Sequence, residues 1–124
     1  MTLKIINMEN LEAGDVTEVP LFTGGKVYTQ SVLEEDFGTG KIQIVNVKFA
    51  PGARNKFHTH SRAQILYVTE GKGIIATRDK QQIVEPGTTI FIPAGEEHWH
   101  GASNDSSFAH LSIIGTPQEF KIVE

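Results

Sequence analysis

The sequence predicts an all-β fold, a sandwich, jelly roll or small barrel, and three observations predict it. Short runs rich in β-branched and aromatic residues recur along the chain, Gly, Pro, Asn and Asp separate them, and no stretch shows the sustained apolar period of a long helix. The runs are Lys26–Gln30, Lys41–Phe49, Gln64–Glu70, Gly73–Arg78, Gln81–Val84, Thr88–Ile92, His98–His100 and Ser107–Ile114. About eight short strands in 124 residues is the spacing of a closed or two-layered β architecture.

Taken in order, Met8–Glu18 carries a weak apolar pattern with acids and reads as a helical turn or an arm. Glu34-Glu35-Asp36 reads as a solvated acidic turn. In Lys41–Phe49 the alternate set Gln43, Val45, Val47 and Phe49 grows apolar toward the end, so this strand runs from rim to core. Turn chemistry follows at Ala50-Pro51-Gly52, Glu70-Gly71-Lys72-Gly73, Arg78-Asp79-Lys80, Glu85-Pro86-Gly87 and Ser103-Asn104-Asp105. Pro117–Glu124 reads as a short tail or an edge strand. The expectation is one domain over 1–124, with the barrel at 41–114, an N-terminal arm at 1–25 and a tail at 115–124.

Composition narrows the function. Hydrophobic residues make up 39% and charged residues 21%, with a formal net charge of −4 and no basic cluster. That argues against nucleic acid and against docking on an anionic membrane, both of which need grouped Lys and Arg. The chain has no cysteine, which excludes disulfides, thiolate metal sites and Cys nucleophiles. No apolar run approaches the roughly 20 residues of a membrane helix, and the first residues lack the pattern of a signal peptide, so a cytoplasmic location is expected.

The histidines carry the chemistry. Four of the five form two His-X-His pairs, His58-Thr59-His60 and His98-Trp99-His100, and the fifth is His110. Residues at i and i+2 of a strand share a face, so each pair can aim two imidazoles into one cavity while Trp99 turns toward packing. One such pair is as well explained by two hydrogen-bonded structural histidines; two pairs in a short β chain favour a transition metal. His110 shares its strand face with Phe108, Ser112 and Ile114, and an imidazole there suits acid–base work or a buried structural role. Phe57, Phe91 and Trp99 read as core aromatics, with pocket lining as the alternative, and Glu96 and Glu97 as rim residues.

The spacing is specific. Gly52, His58, His60, Gln64 and Gly71 are followed by Gly87, Pro93, Gly95 and His98. This resembles the two motifs of the cupin superfamily, over about Lys41 to Ile114. The resemblance implies a double-stranded β-helix barrel with one divalent metal on His58, His60, Gln64 and His98, and glycines at turns needing positive φ. Two positions depart from the family pattern: Gln64 stands where a glutamate is usual, and Ala102 where an asparagine often closes the second motif. Gln64 could mark a decayed site. The better reading is an all-neutral donor set, under which a divalent ion keeps its full +2 charge and favours anions and oxyanions.

Pro51-Gly52-Ala53-Arg54, the His-Thr-His with its glutamine, His98-Trp99-His100-Gly101-Ala102 and the later Ala109-His110-Leu111 look like the small cupins that include manganese-dependent hydroxynitrile lyases. That resemblance implies a metal-dependent carbon–carbon lyase with His110 as general acid and base. It further implies a small-molecule or anionic ligand, manganese first among Mn, Fe, Ni, Zn and Cu, and a homodimer joined through Leu3–Ile6 or the C-terminal strand. Val45, Val47, His100 and Ile114 are expected around the pocket, His100 either behind a ligand or near the mouth. A metal-dependent dioxygenase and a non-catalytic small-ligand cupin are the alternatives.

Overall fold

Alternation of apolar and polar side chains builds two facing sheets, and the face they share is where the site lies. A computed structural model describes residues 3–124. After a 3-10 turn at Met8–Asn10, the strands are β1 (Gly14–Asp15), β2 (Phe22–Thr23), β3 (Val27–Asp36), β4 (Lys41–Phe49), β5 (Arg54–Asn55), β6 (His58–His60) and β7 (Gln64–Gly71). They continue as β8 (Gly73–Ala76), β9 (Gln81–Val84), β10 (Thr89–Ile92), β11 (Trp99–Ala102), β12 (Phe108–Thr116) and β13 (Phe120–Ile122). A six-stranded sheet has the order β1-β3-β4-β12-β7-β10, a five-stranded sheet the order β2-β5-β11-β8-β9, and β6 pairs with β13 alone. Pairing is antiparallel throughout. Among the described residues no helix is long and apolar enough to cross a membrane.

The core forms where inward positions are apolar. Gln64, Leu66 and Val68 of β7 point in, while Ile65 and Tyr67 point out. Val47 and Phe49 close β4 as expected, and Phe49 stacks on Phe108 with ring centroids 6.0 Å apart. Val27, Ala53, Val84 and Ala102 complete this cluster, which fills one end of the barrel and leaves the other to polar side chains. Burying a side chain such as Phe49 is worth about 2–3 kcal/mol, so the apolar end can support the polar one.

Two irregularities aim the site. Along β12 and β7 the register skips Thr69, placing Ala109 opposite Glu70 and His110 opposite Val68. This bulge lies level with His110 and adjusts its direction. Gly71 ends β7 at φ +73°, and a Cβ there would lie 1.8 Å from the Ser107 carbonyl oxygen, so only glycine fits. Gly52, Gly87 and Gly95 also have positive φ, as their motif positions imply.

Several expectations need correction. Glu34-Glu35-Asp36 is not a turn but the end of β3; the turn is Phe37–Gly40, where Phe37 N–H donates to the Gly40 carbonyl. The acids are tolerated because Glu34 and Asp36 are exposed to solvent while their backbone stays paired with β4. Phe91 is neither core nor pocket: it stands 66% exposed on the outer face of β10. His98 precedes its strand and is held by a single bridge to His58. Of the two readings of the last residues, a tail or an edge strand, the structure has the strand, paired with β6.

Candidate metal centre

Three imidazoles meet at the polar end of the barrel. His58 and His60 flank Thr59 on β6, and His98 reaches them because its backbone forms a reciprocal pair with His58, N–H to carbonyl at 3.0 and 3.1 Å. One nitrogen from each of the three rings lies within 4.8 Å of the other two. The remaining nitrogens are tied. His58 Nδ1–H donates to the Lys56 carbonyl (2.7 Å), His98 Nδ1–H to the Glu96 carbonyl (2.8 Å) and His60 Nδ1–H to Gln118 Oε1 (2.9 Å). An oxygen of this kind can only accept, so each Nδ1 carries the proton and each Nε2 keeps its lone pair for the centre. Glu96 thus orients an imidazole, but through its backbone; the Glu97 carboxylate instead pairs with Arg78 at 2.8 Å on the surface.

Gln64 opens β7 beside this cluster. Its Nε2–H donates to Ser112 Oγ at 2.7 Å, which leaves Oε1 buried with no hydrogen bond. His98 Nε2 is buried and unpartnered as well. Two buried acceptors left without a donor would each cost about 1–3 kcal/mol, and a cation is the partner that satisfies both at once. The donor set therefore fits a divalent transition metal: nitrogen-rich, neutral and closed to protons at Nδ1.

Burial keeps the set neutral. It pushes His58 down to about 3, with the neighbouring His98 and His60 adding to the effect, and His110 down to about 4. Burial also lowers His60 and His98, and lowers His100 strongly, with His110 next to it contributing. Unfolded, the rings of His58 and His110 take up protons near pH 6.5, so between that value and about 4 the unfolded chain holds more protons than the folded one. Stability is therefore full above pH 6.5 and falls as the pH drops, by about 1.4 kcal/mol per pH unit for each such ring. Urea unfolding of the metal-free protein at pH 7 and pH 5 is expected to show a loss of several kcal/mol at the lower pH; equal midpoints would contradict the assignment of neutral buried rings.

Behind the cluster lie the other two histidines. His110, 0% exposed, sets its Nε2 3.1 Å from His100 Nδ1. Asn55 of β5 fixes His100: its Oδ1 accepts the His100 backbone N–H at 2.8 Å, and its Nδ2 lies 3.3 Å from the ring at Nε2. Gly101 makes this approach possible, since a Cβ there would lie 2.4 Å from Arg54 Cβ. Phe49 and Phe108 pack against the His110 ring, centroids 5.7 and 5.5 Å away.

A cavity of about 100 Å³ joins these groups. Val47, His100, His110 and Ser112 stand in its wall with His58, His60 and Gln64. Val45 and Ile114 do not: Val45 packs against the apolar core, and Ile114 is buried opposite Gln64 in the register of β12 and β7. Trp99 turns away, buried under the Arg54 guanidinium at 4.0 Å, and Phe57 lies beneath Arg78 at 3.8 Å. Sequence reasoning missed Asn55, Gln118 and the pair Leu21 and Phe22. The last two form a wall of the cavity, strapped on by the Lys56 N–H donating to the Leu21 carbonyl and by β2 pairing with β5. None of these carries a local signal: Gln118, Leu21 and Phe22 come from distant parts of the chain, and Asn55, close to His58 in sequence, acts on His100 45 positions away.

Comparison with known proteins agrees with this architecture. The family model described as Cupin domain matches residues 45–114. The chain is 43% identical over 70 residues to the (R)-mandelonitrile lyase of Granulicella tundricola, covering 55% of this chain and 53% of that protein. It thus spans about half the length of that lyase. A cupin-like protein of Thermotoga maritima is 34% identical with a TM-score of 0.78, covering 90% of this chain and 87% of the other. The polyketide cyclase RemF of Streptomyces resistomycificus shares the fold at a TM-score of 0.84 and 19% identity, covering 99% and 87%.

Proposed function

The chain belongs to the cupin family, and on that premise we propose that it is a metal-dependent carbon–carbon lyase acting on a cyanohydrin. In this reading His58, His60, Gln64 and His98 hold one divalent ion, manganese first, and His110 moves the proton. The observation that carries it is the Gln64 amide, whose unpartnered oxygen completes a neutral donor set beside a buried, neutral His110. Similarity to the Granulicella lyase supports the same class of substrate.

When bound, the ion supplies a full +2 charge that favours negative charge developing on a substrate oxygen or a departing cyanide. The protein's own residues do the rest. Ser112 keeps the Gln64 oxygen turned inward by accepting its amide hydrogen. Asn55 holds His100, and His100 Nδ1 lies 3.1 Å from His110 Nε2, so His110 is a fixed, buried imidazole in the cavity wall. As the bond between the carbinol carbon and the nitrile breaks, the substrate hydroxyl proton passes to the His110 imidazole and from it to cyanide, which leaves as HCN together with the carbonyl compound. Burial leaves His110 in its base form at neutral pH, ready for this transfer. Leu21, Phe22 and Val47 limit the space, so the cavity suits a small substrate.

Benzaldehyde and cyanide mixed with the manganese-loaded protein test the reading. Mandelonitrile is expected above the uncatalysed background and in one enantiomeric excess; racemic product at the background rate would reject it.

A further inference from the structure

The C-terminal strand is laid on the strand that bears two of the three clustered histidines. In the β6–β13 ladder Phe120 lies opposite His60, Lys121 opposite Thr59 and Ile122 opposite His58. The ends are pinned on either side. Ser61 N–H donates to the Glu119 carbonyl and Glu119 N–H to Ser61 Oγ, both at 2.8 Å, while Val123 N–H donates to the Phe57 carbonyl at 2.9 Å. Phe57 N–H and Arg54 both donate to Glu124 Oε1, at 3.1 and 3.0 Å. From this segment Gln118 hydrogen-bonds to the cluster, its Oε1 accepting the His60 Nδ1–H, while the Phe120 ring only packs beside His60, centroids 6.4 Å apart.

The three imidazoles are therefore not held alike. His58 and His98 each lean on a carbonyl two residues upstream, within their own turns. His60 depends on a residue 58 positions away.

We propose that Gln118 is the positioning residue of His60, and that closure of the C-terminal strand and binding of the metal are one coupled event. The inference rests on the metal reading above. With the strand in place, Gln118 holds the proton on Nδ1 and turns Nε2 toward the centre. With the strand open, His60 loses that acceptor and is free to rotate and to exchange tautomers. Coupling is reciprocal: whatever factor the closed strand adds to metal affinity, bound metal adds to closure. β6 and β13 contribute three residues each and form a two-stranded ribbon outside both main sheets. Such a ribbon is marginal alone, so a modest factor suffices to shift it.

The test pairs calorimetric titration of metal-stripped protein with Mn²⁺ and amide hydrogen exchange over the C-terminal strand. Gln118→Ala is expected to weaken Mn²⁺ binding about 10–100-fold, the usual effect of losing the acceptor behind a ligating histidine. Gln118→Glu, whose carboxylate accepts the same hydrogen, is expected to restore it, and Mn²⁺ should slow exchange at Phe120–Val123 in the wild type but not in Gln118→Ala. A wild type that binds Mn²⁺ alongside a Gln118→Ala binding within twofold of it would overturn the inference. So would a Gln118→Glu as weak as the alanine variant, or tail exchange indifferent to Mn²⁺. If the wild type takes up no first-row metal at all, the metal reading fails first and the coupling with it.

Discussion

Changing His98 to alanine is expected to remove most of the protein's affinity for Mn²⁺ together with the stabilisation that metal brings. A site of four ligands worth on the order of 10 kcal/mol in all loses roughly 2–3 kcal/mol with one of them, about a 100-fold fall in affinity. In the wild type, metal at 100 times its dissociation constant adds about 2.7 kcal/mol, which for a domain of this size raises Tm by about 10 °C. At the same metal concentration the variant should show a shift near 3 °C or less. His98 is the telling position because its Nε2 is buried and makes no hydrogen bond, so without metal that atom contributes nothing favourable. Thermal denaturation with and without Mn²⁺ measures the effect; equal shifts in the two proteins would mean that the metal binds elsewhere or that the histidines are structural.

The second large effect concerns His110. Alanine there is expected to lower kcat by about 10²–10⁴, the range of a general acid–base group, while the metal stays bound at one equivalent. The separation follows from geometry: His110 bonds to His100 and packs against Phe49 and Phe108, and the clustered rings of His58, His60 and His98 take their hydrogen bonds from other residues. Steady-state rates and elemental analysis on the same sample decide it. Retained activity would make His110 a packing residue and place the proton transfer elsewhere; loss of metal along with activity would place His110 in the support of the cluster.

Much of this was legible from residue spacing because its causes are local. The His58-Thr59-His60 pair shares a face by strand alternation, and Gln64 follows at the start of the next strand, where alternation again points it inward. The turn glycines are read from the backbone conformation they alone accept. Other parts depend on what the chain meets after folding. Gln118 comes to His60 only because β13 finds β6, and Asn55 comes to His100 only because β5 and β11 approach at Gly101. Nothing in the neighbourhood of either residue marks it. Phe91 deceived for the opposite reason: an aromatic in an apolar run reads as interior, yet its place in the register of β10, opposite Ile65, puts it outside. The acids ending β3 misled similarly, since a run of charge suggests a bend wherever the sheet's solvated side is unknown.

The reciprocal main-chain pair between His58 and His98 has a consequence for how such a centre can vary. It spans forty positions of sequence using only amide and carbonyl groups, which every residue other than proline supplies. The two anchor points stay in place whatever side chains they bear. Donor atoms can accordingly be exchanged at these positions while the scaffold holds its dimensions, and one framework can host different ions and different reactions over evolutionary time or at a designer's bench.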